Sequence, residues 1–198
     1  MEPDGAPSAA ERIVELINTL YLPDGDDVLA DERAAEWIRG WVGGSAGFPD
    51  RQPDEESLHR LCRLREGLRQ LAAANNGQKP ERRQIADAAT ALAAGAFVLD
   101  LGDDSRAPGI AVSPTATLPS TAVARLAECY LTARGARDWP RLKVCAAPDC
   151  RYAYVDTSRN RSRRWCEMAY CGNRAKNRTW RARNVPAEDG QAAAQAQS

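Results

Sequence analysis

Four cysteines near the end of the chain constrain its fold most. They form two C-x4-C pairs, Cys145 with Cys150 and Cys166 with Cys171, and fifteen residues separate the pairs. Two short pairs joined by a longer arm suit a tetrahedral ion, because each pair closes a turn and the arm lets the two turns face each other. Four thiolates favour one structural zinc ion per chain, with an iron–sulfur cluster as the alternative metal group. The sequence therefore predicts a metal centre with these four ligands.

The cysteine segment holds too few apolar side chains to fold unaided. The first residues are acidic and do not show the basic start and apolar stretch of a secretion signal, so we expect a cytoplasmic location. Thiols stay reduced there, which favours a metal over disulfides. Segments this small usually need a metal or a disulfide, and structural zinc supplies about 10 to 16 kcal/mol. Between residues 144 and 183 the sizeable apolar side chains besides the thiols are Val144, Tyr152, Tyr154, Val155, Trp165, Met168, Tyr170 and Trp180.

The charge of the chain is unevenly distributed although its net charge is zero. Residues 1 to 140 carry 15 basic and 22 acidic side chains, whereas residues 141 to 183 carry 12 basic and three acidic ones. Such an asymmetry favours contact between the basic end and a polyanion. The scarcity of lysine and the abundance of alanine are typical of a GC-rich bacterial genome.

The sequence "CEMAYCGNRAK", preceded by "DTSRNRSRRW", resembles the CGNR zinc finger family of bacterial proteins. The family is named for the residues that stand here at Cys171, Gly172, Asn173 and Arg174. Its members often carry an N-terminal helical domain called ABATE, described as a stress-induced transcription regulator, and "NTLYLPDGDDVLADERAAEWI" is similar to the beginning of that domain. The resemblance implies zinc binding, DNA binding and transcription regulation in a stress response.

The region before the cysteines predicts a mostly α-helical domain with a small β-hairpin, followed by the four-cysteine finger and its C-terminal helix. Apolar periodicity predicts helices from Glu11 to the Pro23-Asp24-Gly25 turn, over 31–42, over 58–71, from about Pro80, and over 120–134. The Asn75-Asn76-Gly77 sequence predicts the turn that ends the third of these helices. Residues 97–101 and 110–112 predict two strands. The predicted organisation is a disordered stretch at 1–10, an ABATE-like helical domain at 11–136, the finger at 140–184 and a disordered tail at 185–198.

The basic residues of the finger are the candidate DNA ligands, because arginine suits phosphate oxygens and guanine edges and few acidic residues stand near them. An extended loop would place Arg159, Arg161 and Arg163 on one side. Asn173 is the predicted N-cap of a helix, on which Ala175, Thr179 and Ala182 would pack against the zinc site. The full set comprises Arg159, Arg161, Arg163, Arg164, Arg174, Lys176, Arg178 and Arg181.

These features predict a zinc-dependent regulator that binds double-stranded DNA, with an N-terminal domain that senses a small-molecule effector or forms a homodimer. A zinc-stapled RNA-binding or protein-interaction module is the alternative. Its stacking residues would be Tyr152, Tyr154, Trp165 and Trp180. An enzyme is disfavoured because four thiolates leave no open metal position, and no apolar run is long enough to span a membrane.

Two tryptophans in the N-terminal region can be interpreted in two ways. Trp37 and Trp41 lie one helical turn apart and belong either to the core, which we favour, or to a ligand pocket.

Overall fold

The computed structural model describes residues 7–43, 53–95, 97–105, 107–112 and 116–184. Its six α-helices are α1 (Ala9–Ile17), α2 (Ala34–Val42), α3 (Glu55–Ala74), α4 (Arg82–Ala93), α5 (Leu118–Gly135) and α6 (Asn173–Asn184). Three antiparallel hairpins pair β1 (Leu20–Tyr21) with β2 (Asp26–Asp27), β3 (Phe97–Asp100) with β4 (Gly109–Val112), and β5 (Leu142–Val144) with β6 (Ala153–Val155). Short 3-10 turns occupy Val28–Ala30 and Trp139–Arg141, and a π turn occupies Met168–Gly172.

The predicted fold class is confirmed: helices dominate, and a four-cysteine segment with a C-terminal helix follows them. Helix α1 begins earlier than predicted, because Ser8 and Glu11 form a reciprocal capping box. It also ends earlier, and Leu20 instead pairs with Asp27 in the first hairpin. The predicted disordered ends lie largely outside the described residues.

Helices α3 and α4 pack closely against each other. A Cβ atom added to Gly67 of α3 would lie 2.2 Å from the Cβ atom of Ala88 on α4, so only glycine allows this approach. The hairpin of β3 and β4 follows α4, with Phe97 opposite Val112, and α5 contacts both the hairpin and α1. These elements surround the main apolar core.

The β5–β6 hairpin of the predicted finger belongs to the same core as the helices. Leu142, Val144 and Ala153 are buried in one cluster with side chains from α1, α2, α3 and α5. Asn18 at the end of α1 extends this contact, because its side chain both donates to the carbonyl of Ala153 and accepts from its amide. The predicted boundary between residues 136 and 140 therefore lies beside a shared core.

Within the described residues, no helix has the length and apolar character needed to cross a membrane.

Candidate metal centre

The four predicted cysteine ligands converge on one point of the structure. Their sulfur atoms all lie within 4.8 Å of one another. The Sγ atoms of Cys150 and Cys166 are 3.6 Å apart, and those of Cys166 and Cys171 are 3.7 Å apart. A tetrahedral zinc ion with bonds of about 2.3 Å separates its sulfur ligands by about 3.8 Å. The sulfur atoms are thus too distant for disulfides and suitably spaced for zinc.

Local backbone hydrogen bonds place three of the four cysteines. Cys145 directly follows β5, and its amide donates to the carbonyl of Tyr152, which closes the first cysteine turn. The amide of Cys150 donates to Ala147, and Arg151 then takes a left-handed φ of 51°. Cys171 lies in the π turn, where its amide donates to Glu167. Two turns of backbone thus present sulfur atoms to a common centre.

The clustered thiols need a positive charge among them before they can all lose their protons. Burial, together with the neighbouring Cys145, raises the pKa of Cys150 to about 11. Burial and the adjacent sulfur atoms likewise raise the pKa of Cys166 above that of an ordinary thiol. Four neighbouring thiolates would repel one another in this buried place without a positive charge among them. A zinc ion supplies that charge and binds the deprotonated sulfur atoms.

Arg174 contacts the metal centre from outside. Its Nη2 donates to the Sγ atom of Cys171 at 3.4 Å, and its Nη1 lies 3.0 Å from a carboxylate oxygen of Asp149. Burial raises the pKa of Cys171, but the bonds from Arg174 and the neighbouring thiols outweigh it, so the net shift is downward. Arg174 can therefore stabilise a metal-bound thiolate as well as contact a partner.

A buried ion pair holds the basic loop of residues 157–164. Lys143 Nζ donates to Asp156 Oδ2 at 2.7 Å, and both side chains are almost fully buried. The Lys143 ammonium also contacts the carbonyls of Arg161 and Arg163, while Asp156 accepts the Arg163 amide. Burial alone would raise the pKa of Asp156, but bonds from Lys143 and Ser158 lower it to about 2.

A second polar group connects the helical region to the metal centre. Asn76, in the turn after α3, donates through Nδ2 to the carbonyls of Val144 and Arg164, both at 2.8 Å. Val144 directly precedes Cys145, and Arg164 stands two residues before Cys166. We call the side chains of Asn75, Asn76 and Gln78 the α3 clamp, because Asn75 and Gln78 likewise donate to carbonyls of residues 139–144.

All eight predicted DNA-binding residues are exposed, but their arrangement differs from the prediction. The loop is not extended: it curls around the Lys143–Asp156 pair, and Arg161 takes a left-handed φ of 50°. The guanidinium of Arg163 lies 4.8 Å from the centre of the Tyr154 ring, and that of Arg164 lies 5.7 Å from Trp165. The extended loop on which the one-sided row of arginines depended is therefore not formed.

Helix α6 also differs from the prediction in two respects. Asn173 is not an N-cap, because the π turn runs into the helix and Asn173 already has helical dihedral angles. Its side chain donates back to the carbonyl of Ala169. The stripe of Ala175, Thr179 and Ala182 does not pack on the metal site, since α6 buries none of its residues. Arg174 and Arg178 of α6 both lie near Asp149, an acidic partner that the charge count had not suggested.

The segment that carries the four cysteines matches a known family. Residues 141–184 match the CGNR zinc finger. The match contains all four cysteines and the eight candidate DNA ligands, and it begins one residue after the predicted start of the finger. No curated protein matches the chain. The CGNR finger thus combines a four-cysteine cluster suited to zinc with an exposed basic loop and helix.

Sequence reasoning missed the buried partners of the CGNR finger. Lys143 stands between the apolar residues of β5, where a lysine would ordinarily mark the exposed face, yet both faces are buried. Asp156 directly follows β6, where an aspartate suggests only a turn-forming side chain, yet it is fully buried. Trp37 and Trp41, in contrast, stack at 5.8 Å and pack in the core, with the Trp41 indole donating to the carbonyl of Arg12.

Proposed function

We propose that this chain is a zinc-dependent, DNA-binding transcriptional regulator and not an enzyme. The observation that carries the proposal is helix α6, which has five basic residues, no acidic residue and no buried side chain. An isolated helix of this length is marginal in water, and α6 buries no residue against the protein, so little besides the contacts of Arg174 and Arg178 stabilises it. A polyanion that accepts its arginines would stabilise it.

The geometry of α6 suits duplex DNA. A helix with its side chains is about 10 to 12 Å across, and the major groove is about 12 Å wide. The CGNR motif anchors the first turn of α6 through Cys171, while the rest of the helix extends away from the protein. We propose that Arg174 and Arg178 exchange Asp149 for base edges, and that Arg159, Arg161, Lys176 and Arg181 contact phosphates.

The proposed role assigns the zinc ion to structure alone. A four-thiolate site has no open position for substrate, so the metal holds the two cysteine turns together and thereby orients the basic loop and helix. The same proposal covers the N-terminal region, which we propose is ABATE-like and acts as an effector or dimerisation domain. It also covers a part in a stress response and a cytoplasmic, bacterial setting.

Selection from random duplex DNA with the zinc-loaded protein tests this function. We expect an enriched sequence motif, and we expect Arg178→Ala to weaken its binding, whereas Arg125→Ala on α5 leaves binding unchanged. Arg125 is a matched control, since it is also a half-exposed helical arginine paired with a carboxylate. The absence of duplex binding at low salt would refute the proposal.

A single-stranded RNA ligand is the second candidate. Tyr152 and Trp180 are 39% and 66% exposed and could stack on unpaired bases. Tyr154 is not available for stacking, because it is buried and its hydroxyl donates to the carbonyl of Arg163. Competition between duplex DNA and single-stranded RNA distinguishes the two candidates, since loss of affinity in Trp180→Ala for RNA alone would favour RNA.

A further inference from the structure

The helical region contains a concave apolar cavity of about 470 Å³, which we call the α3–α5 cavity. Helices α3, α4 and α5 each contribute four lining residues, and β3 and β4 contribute one each. Leu64, Leu68 and Leu126 form part of its wall and are themselves buried. Its volume lies in the range of about 300 to 1,000 Å³ that small-molecule sites occupy.

The lining chemistry defines the class of ligand. Among the residues that the structure describes, every lining residue is apolar except Tyr130, whose phenol is their one polar side-chain group, and none of them is a lysine, arginine, aspartate or glutamate. A charged ligand would lose its hydration here without gaining a partner. The cavity therefore suits an uncharged, mainly apolar molecule with at most a hydroxyl-like polar group.

Small residues keep the cavity open. Gly67 on α3 meets Ala88 on α4, and Ala89 and Ala127 also lie on the wall. Helices α3 and α4 contact each other closely at Gly67. The space beside that contact is lined by α3, α4 and α5, and the β3–β4 hairpin covers part of it. A concave space bounded by four elements suits a small molecule better than it suits the flat face of a second copy.

Two of the helices that line the cavity, α3 and α5, are linked by contacts to the CGNR finger. Helix α3 lines the cavity with Leu64, Leu68 and Leu71 and ends in the α3 clamp, which holds the backbone beside Cys145 and Cys166. Tyr130 of α5 lines the cavity and packs edge-on against Trp139 at 5.0 Å. The carbonyl of Trp139 in turn accepts a hydrogen bond from Asn75 of the clamp.

We propose that the α3–α5 cavity is an effector site for an uncharged apolar small molecule and that its occupancy slows the loss of zinc from the CGNR finger. A ligand that fills the cavity restrains α3, which ends in the clamp, and Tyr130, which packs on Trp139, the residue whose carbonyl accepts from Asn75 of the clamp. The proposal specifies the effector site of the proposed regulator, but its test measures zinc and ligand and does not depend on DNA binding.

The first test uses the zinc-loaded full-length protein and the neutral fluorophore N-phenyl-1-naphthylamine. We expect saturable binding at one site per chain, with displacement by 1-decanol and not by decanoate. Ala89→Phe should abolish binding, because Ala89 lines the cavity. Ala86→Phe is the matched control, since Ala86 is an equally exposed alanine on α4 that does not line the cavity.

The second test measures zinc transfer to a chromophoric chelator with and without saturating fluorophore. A typical coupling between two sites predicts release slowed by about fivefold or more in the unmodified protein and in Ala86→Phe, and no effect in Ala89→Phe. Should Ala89→Phe fail to fold by circular dichroism, Ala127→Leu replaces it, with the same expected loss of binding.

Several results would overturn the proposal. The proposal is wrong if the folded cavity variant still binds the fluorophore, or if decanoate displaces the fluorophore as well as 1-decanol does. It is also wrong if the fluorophore still slows zinc release in that variant. Unchanged zinc release in the unmodified protein would remove the coupling. A dimer that excludes the fluorophore and dissociates in Ala89→Phe would assign the cavity to a second copy instead. Failure of DNA binding alone would refute the proposed function and leave this site in place.

Discussion

Replacing Asn76 tests whether the helical region supports the metal centre. Its amide donates to the carbonyls of Val144 and Arg164, and alanine removes both bonds. Each carbonyl keeps a second donor, because Gln78 also bonds to Val144 and the Ala146 amide bonds to Arg164. The loss per bond is therefore the net value of a hydrogen bond, about 1 kcal/mol, and not the full cost of an unpaired carbonyl.

Two such bonds predict that Asn76→Ala destabilises the folded, metal-bound state by about 2 kcal/mol. The CGNR finger has a small core of its own, so we expect these contacts to form together with zinc binding. A loss of about 2 kcal/mol then corresponds to roughly 30-fold weaker zinc binding. Titration against a chromophoric chelator measures that ratio, and the exposed Asn177→Ala on α6 serves as the control.

A result within twofold of the control would refute this reasoning. It would mean either that the finger holds its cysteine turns without the clamp or that the clamp already forms in the zinc-free chain. Thermal unfolding of the zinc-free proteins separates these two explanations, because a clamp formed without zinc would lower the unfolding temperature of zinc-free Asn76→Ala. A clamp that is unnecessary would leave that temperature unchanged.

Four further predictions follow from the site. Elemental analysis should find about one zinc per chain, and serine at any one of the four cysteines should abolish its retention. Asp156→Asn should cost about 3 to 5 kcal/mol in denaturant unfolding, because it leaves Lys143 buried without its counter-charge. Since the pKa of Asp156 is lowered from 3.8 to about 2, its stabilising contribution should be complete above pH 4 and disappear as the pH falls toward 2. The unfolding free energies of Asp156→Asn and the unmodified protein, compared over this pH range, would show this loss. If the four side chains assigned to phosphates reach them, log affinity against log salt should have a slope of about −3.6, and Arg159→Ala should make it shallower by about one, as binding assays in graded salt would reveal.

Much of the fold follows from short-range patterns. The leucine stripe of α3 and the Asn75-Asn76-Gly77 turn that ends it were both evident, because a helix buries one face at a fixed period and glycine favours the turn. The four cysteine ligands were equally evident, since the ion imposes their spacing. The stripe, the turn and each cysteine pair depend on residues within one or two turns of each other, and only fifteen residues separate the two pairs.

The contacts that build the site around those ligands join distant residues and leave no periodic signal. Asn76 and Arg164 are 88 positions apart, and Asn18 and Ala153 are 135 apart. Asn75 and Asn76 carry a double role: as turn residues they end α3, and as amide donors they hold the finger. Only the second role requires the fold, so sequence reasoning identified the first alone.

The same contacts bear on whether the region 11–136 folds by itself, which stays a prediction. A chain cut near residue 136 would lose Leu142, Val144 and Ala153 from the core shared with α1 and α3, and it would leave the clamp amides without their carbonyl partners. The clamp amides can form hydrogen bonds with water at little cost in free energy, whereas exposure of the apolar faces of α1 and α3 to water is unfavourable. If the fragment nevertheless melts cooperatively at the temperature of the whole chain, the finger is an appendage. If it aggregates or melts without cooperativity, the two regions form one folding unit, and loss of zinc would destabilise the helices as well.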